Sequence, residues 1–295
     1  MGDERKPDET IKVKVDGYTV VAYSFGKGDD VLFCLNGGPG LPCDYVRDAL
    51  SCLADHGYRV LAYDQLGCGQ SDRPDDCKLW TIERYVREAE AVRAALGLGK
   101  VHLYGQSWGT WLGTEYALTY PNAFKTYILS NGACDIPHLV GELMRLRRAL
   151  GPETEAMMQR HEAEGTLEHP EYQAAITILN YRHVCRLALW PPAVNRSLGD
   201  WNMGPYNAIQ GPNEFLYVGS IKDKNWLPRL NEIAQPCLVL CGLHDELTPA
   251  CSMRIHQHLP NSRIKVFPNS SHLPMWEEPE DYLRTLRAFL DAHRG

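Results

Sequence analysis

A serine hydroxyl attacks a carbonyl near neutral pH only beside a base that takes its proton, and the base needs an acceptor that fixes its tautomer. One serine of this chain has the setting for that chemistry. Gly105-Gln106-Ser107-Trp108-Gly109 fits the Gly-x-Ser-x-Gly turn that lifts a serine off the end of a strand. The apolar run Val101-His102-Leu103-Tyr104 ahead of it reads as a buried strand. Behind it, Trp111, Leu112, Glu115, Tyr116, Ala117 and Leu118 recur at helical spacing. Strand, sharp turn and helix are what give the pentapeptide meaning; without them it is a glycine-bounded turn with a small residue in it.

The partners must follow in the order serine, acid, histidine. Asp245 and Glu246 come directly after the strand-like run Cys237 to Cys241. Ser270-Ser271-His272 comes after the last such run, Arg263 to Phe267. His272 is therefore assigned as the base and Asp245 as its orienter, with Glu246 as the alternative acid. His244 lies in the acid's own loop, and His102 lies inside a strand and reads as a core residue. The tetrahedral oxyanion needs two N–H donors, each worth about 3 kcal/mol. One is expected from Trp108 and the other from the loop Asn36-Gly37-Gly38-Pro39-Gly40, with Gly38 as the assigned donor.

These residues need a sheet to hold them. Ile11 to Val15 and Tyr18 to Ser24 read as a hairpin around Asp16-Gly17. Val31 to Leu35, Arg59 to Tyr63, the elbow strand and Tyr127 to Ser130 read as core strands. Helices are expected at Asp44 to His56, Thr81 to Leu96 and after Ser107. Strands alternating with helices imply a parallel sheet with right-handed crossovers. The alternation stops near Cys134. Helical patterns at Leu139 to Leu150, Glu153 to Glu164 and Pro170 to Leu189 follow, then a looser piece from Trp190 to Trp226. The sheet pattern then resumes, with helices at Pro249 to His258 and Glu280 to His293. The expected organisation is a core portion 1–134, a helical cap 135–235 over the strand ends, and a second core portion 236–295.

Composition narrows the partners. With 295 residues and 44% of them hydrophobic, one large α/β domain can form a sizeable core. A net charge of −7 argues against nucleic acid and anionic membranes. No apolar run is long enough to span a bilayer, and Met1 to Thr10 is polar and expected to fray, so a cytoplasmic protein is expected. The 10 cysteines include no C-x-x-C pair and read as buried free thiols. The cysteines and histidines lack metal-ligand spacing, so no metal is expected. Asp64-Gln65-Leu66-Gly67-Cys68-Gly69 has no Gly-Lys-Ser/Thr and is not a phosphate loop. No cofactor is expected.

Taken together, Gly37-Gly38-Pro39-Gly40, Asp64 to Gly69, Gly105 to Gly109, Gly242 to Pro249 and Ser271-His272 resemble the proline iminopeptidases, with their relatives the tricorn-interacting aminopeptidases and amino-acid amidases. The resemblance runs from about Val13 through nearly the whole chain. It implies an α/β-hydrolase fold, with a mostly parallel eight-stranded sheet and an inserted mainly helical cap. The cap piece Gly211-Pro212-Asn213-Glu214-Phe215 is similar to the tricorn-interacting type. On that resemblance Glu214 and Glu246, with Tyr206 beside them, hold the substrate's free α-ammonium group. Paired carboxylates offset the desolvation of an ammonium. The family usually has histidine before Gly-Gly-Pro-Gly, and Asn36 stands there in this chain.

The expected activity is removal of an N-terminal residue, proline among the candidates, from peptides or amino-acid amides. A broad amidase or carboxylesterase with no need for a free amine is the alternative. A binding protein on a hydrolase scaffold is a third reading, against which the complete serine–acid–histidine set speaks. Trp190, Trp201, Tyr206, Phe215 and Trp226 either line a proline slot or pack the cap.

Overall fold

The computed structural model describes residues 5–295. Its eight strands are β1 (Glu9–Val15), β2 (Tyr18–Phe25), β3 (Asp30–Leu35), β4 (Tyr58–Asp64), β5 (Val101–Gln106), β6 (Phe124–Ser130), β7 (Cys237–Gly242) and β8 (Ser262–Phe267). They form one sheet in the order β1-β2-β4-β3-β5-β6-β7-β8. β2 pairs antiparallel with β1 and β4, and every other pair is parallel. The hairpin turn has positive φ at both Asp16 (49°) and Gly17 (86°), as a type I′ turn requires.

The inner strands β3 to β7 are buried along almost their whole length because both faces are covered. Successive residues feed two cores. Phe33, Leu35, Leu61, Tyr63 and Leu103 enter one. Leu32, Cys34, Val60, Ala62 and Tyr104 enter the other. Helices α2 (Ile82–Ala95) and α3 (Trp108–Thr119) close the first core through Tyr85, Val92, Trp111 and Tyr116. The second core is closed by Val46 and Leu50 of α1 (Asp44–Leu50) and by residues of the C-terminal helix such as Tyr282 and Phe289.

Between β6 and β7 lie α4 (Ile136–Arg148), α5 (Pro152–Glu164), α6 (Pro170–Leu179), α7 (Pro192–Gly199) and α8 (Met203–Ile209). After β7 come α9 (Pro249–His258), α10 (Pro274–Glu277) and α11 (Pro279–Asp291).

Four expectations change. The first helix stops at Leu50 and tightens into a 3₁₀ turn, Ser51–His56, closed by Gly57 at φ 82°. The helix expected to run to Leu189 ends at Leu179 and passes into a π turn, Asn180–Val184. There the chain is drawn onto the sheet: the His183 carbonyl accepts the His272 N–H at 3.2 Å, and the His183 ring N–H donates to the His244 carbonyl at 2.8 Å. The piece expected to be loose contains α7 and α8, each too short to give a clear periodicity. Of the N-terminal stretch expected to fray, Met1 to Glu4 lie outside the described residues, but Glu9 and Thr10 already pair with Ser24 and Tyr23 in β1. Among the described residues no helix is long and apolar enough to cross a membrane. All 10 cysteines are unpaired.

Candidate active site

Ser107 joins β5 to α3 at φ 56° and ψ −122°, a conformation costly for any residue with a side chain. Its amide donates to the Ser130 carbonyl at 3.1 Å, and its carbonyl accepts both the amide and the hydroxyl of Thr110 at 2.8 and 2.7 Å. The flanking glycines let this turn close. A Cβ on Gly105 would lie 2.2 Å from the Gly109 carbonyl oxygen, and one on Gly109 would lie 2.0 Å from that of Leu35. The hydroxyl faces a cavity of about 120 Å³ whose lining includes Gly38, Tyr45, Gln106, Trp201, Glu214 and His272.

His272 Nδ1 donates to Asp245 Oδ1 at 2.8 Å, which leaves Nε2 unprotonated in the neutral ring. Asp245 is buried and held from two further sides: Oδ1 accepts the Leu247 amide at 2.9 Å, and Oδ2 accepts Asn131 Nδ2 at 2.6 Å. Glu246 Oε1 lies 3.2 Å from the same imidazole nitrogen, yet neither of its oxygens makes a hydrogen bond. The first contact is a bond and the second is proximity of charge, so Asp245 is the acid placed to orient the ring. Glu246 is 0% exposed. Burial first, then the charges of Asp245 and Glu214, push its carboxyl well above the ordinary range.

For His272, burial works against the imidazolium. The Asp245 carboxylate and its hydrogen bond outweigh that, helped by Glu214 and Glu277, and the pKa is raised above 6.5. A general base must be neutral to accept a proton. Activity should therefore fall as pH drops through a midpoint above 6.5, which a kcat/KM profile reads directly. An acid limb well below that value would remove His272 from the role. His102 is no competitor. It is fully buried against Thr126 Oγ1 at 2.8 Å, and burial, with Lys125 nearby, lowers it to about 4.

Both expected oxyanion donors have room. The Gly37 amide is taken by Tyr45 Oη at 2.6 Å. Among the described residues neither the Gly38 nor the Trp108 amide meets another acceptor. Glu214 stands at the cavity wall with Oε1 accepting Tyr206 Oη–H and Oε2 accepting Gln210 Nε2–H, each at 2.9 Å. Tyr206 is fully buried behind it, so its hydroxyl orients Glu214 and does not face the cavity. Trp190 and Trp201 line the cavity, whereas Phe215 and Trp226 pack the core.

Three residues around the site carry no motif. Asn131 follows β6 at φ 56° and bridges Asp245 to the Ser271 carbonyl. An asparagine before Gly132 at a strand's end was its one available signal. Gln210 lies four residues after Tyr206, the spacing that puts both on one helix face. Arg147 is buried in α4, ion-paired with Glu155 at 3.1 Å and Glu162 at 2.9 Å, and donates to the Phe215 carbonyl at 3.3 Å. It thereby anchors the residue next to Glu214. Arg147→Met leaves two acids unpaired. It is expected to cost about 3–5 kcal/mol in urea unfolding and to raise KM more than it lowers kcat.

A family profile described as alpha/beta hydrolase fold matches residues 30–279. The proline iminopeptidase of Saccharolobus solfataricus is 37% identical over 264 residues, covering 88% of this chain and 84% of that protein. The chain belongs to the proline iminopeptidase family of α/β-hydrolases. Among solved structures of α/β-hydrolases, the Mycobacterium smegmatis proline iminopeptidase superposes with a TM-score of 0.88 at 33% identity, over 97% of this chain and 98% of that one. VinJ superposes with a TM-score of 0.92 at 31% identity, over 98% and 100%. The proline iminopeptidase family resemblance carried by the motifs thus extends through the sheet and the β6–β7 insertion alike.

Proposed function

We propose that this chain is a serine aminopeptidase that releases an N-terminal residue, proline among its substrates, from small peptides or amino-acid amides. Ser107 Oγ attacks the scissile carbonyl as His272 Nε2 takes its proton. The Gly38 and Trp108 amides hold the oxyanion. His272 returns the proton to the leaving amine, and water, activated by the same imidazole, hydrolyses the acyl-enzyme. Asp245 keeps the ring oriented throughout.

The observation that carries the reading is that Glu214, an oriented carboxylate, lines the same cavity as Ser107 and His272. Its charge draws a substrate ammonium to one end of the cavity and fixes the first peptide bond at the serine. Residues 135–235 act as a cap that supplies this carboxylate to a core made of 1–134 and 236–295. Ten unpaired thiols fit a reducing, cytoplasmic setting. A panel of aminoacyl p-nitroanilides, proline included, tests the proposal. Release of p-nitroaniline from free-amine substrates is expected, and no turnover of any member would refute it.

A further inference from the structure

The stretch Asp64 to Gly69 has no part in the chemistry above, yet it ends β4 directly beside the Asn36–Gly40 loop. Gln65 is buried there and uses both ends of its amide. Its Oε1 accepts the Trp108 indole N–H at 2.9 Å, and its Nε2 donates to Asn36 Oδ1 at 3.3 Å. Asn36, also buried, passes the constraint on: its Nδ2 donates to the Leu41 carbonyl at 2.6 Å and the Gly37 carbonyl at 3.2 Å. The far end of the loop is tied to the neighbouring residue, since Asp64 Oδ1 accepts the Cys43 amide at 3.0 Å. Asp64 is itself held by Tyr23 Oη at 2.8 Å and the Gln70 amide at 2.9 Å.

Consecutive residues at one strand end therefore hold both ends of the loop that carries Gly38. One of them also holds the indole of Trp108, whose backbone amide is the second oxyanion donor. We propose that Gln65 is a positioning residue for the oxyanion hole, setting the separation of the Gly38 and Trp108 amides by bonding Asn36 on one side and the Trp108 indole on the other. The side-chain amide suits this task because it offers a donor and an acceptor at a fixed spacing; a carboxylate offers acceptors alone. Asn36 suits it too. It supplies an acceptor to Gln65 and two donors to the loop carbonyls at once, whereas a neutral imidazole at that position has one N–H. The departure at residue 36 and the glutamine at 65 thus belong to one arrangement. Donors reward the transition state only at about 2.7–3.1 Å from the oxyanion, so a small shift of either amide lowers the rate of acylation.

The proposal rests on the reading of Ser107 as nucleophile but not on amine recognition. Its test is a double-mutant cycle of Gln65→Met and Trp108→Phe. Two rates are measured: acylation of Ser107 by a fluorophosphonate, and kcat and KM on a free-amine p-nitroanilide. Each single variant is expected to lower acylation and kcat by about 10- to 100-fold with KM nearly unchanged, the scale of a slightly displaced donor. The double variant should fall little further, because both changes cut the same bond. Independent, multiplying losses overturn the proposal, as do wild-type rates in either single variant. If Gln65→Met does not fold, Trp108→Phe decides alone, since it keeps an aromatic ring in the core and removes the N–H. A chain that lacks aminopeptidase turnover but loses fluorophosphonate acylation on these changes would refute the substrate reading and leave this one standing.

Discussion

Ser107→Ala lowers kcat on the best aminoacyl p-nitroanilide by about a million-fold, the loss seen when a triad serine is removed alone. The nearby serines cannot substitute. Ser271 Oγ is bonded to Glu277 at 2.8 Å and Ser130 Oγ to Asn131 at 2.7 Å, and neither residue lines the cavity; Ser197 does, but its Oγ donates to the Pro42 carbonyl at 3.0 Å and no base is bonded to it. The variant should fold, because the bonds that hold the elbow run through the backbone of residue 107 and not through its hydroxyl. Loss of fluorophosphonate labelling with an unchanged melting temperature completes the expected result. Full turnover by Ser107→Ala would end the serine-hydrolase mechanism for this site.

Acetylating the substrate's α-amine should cost about 10⁴-fold in kcat/KM, since a site built to bind one polar group is left with that group unpaired when it is removed. The amide carries no charge and places a methyl against Glu214, whose two oxygens are already directed by Tyr206 and Gln210. Glu246 is fully buried and is not among the residues that line the cavity, so the effect is assigned to Glu214. Glu214→Gln keeps the shape and removes the charge. It should lower kcat/KM on free-amine substrates by about 1.5–3 kcal/mol and narrow the gap between free and acetylated forms. Equal rates on both forms in the wild-type chain would make the enzyme a broad amidase or esterase and leave Glu214 as a cap charge.

What could be read from the chain depended on how local each signal is. The elbow lies within a few consecutive residues, and its strand, turn and helix fall where the pattern put them. Asp245 and His272 were found by order and by following strands, because a parallel sheet brings the loops after its strands to one edge. The supporting residues were not legible. Asn131 reaches Asp245 across 114 positions, Gln65 reaches Trp108 across 43, and Arg147 reaches Phe215 across 68. Their roles are set by packing, and nothing in their neighbours announces it. The helix boundaries that shifted did so for a related reason: the π turn at Asn180–Val184 is fixed by bonds to the loops after β7 and β8, not by its own periodicity.

That turn also bears on how such enzymes diverge and how they can be recombined. The insertion between β6 and β7 supplies, at His183, the acceptor for the backbone amide of His272, the proposed base. A chimera that exchanges the whole insertion for that of a distant hydrolase would take away a support of His272, the proposed base, along with Glu214. A swap that keeps 180–184 and exchanges the segments on either side would transplant the substrate pocket while leaving the base anchored. If His272 is the base, segments of the insertion are expected to exchange without loosening it only outside those five residues.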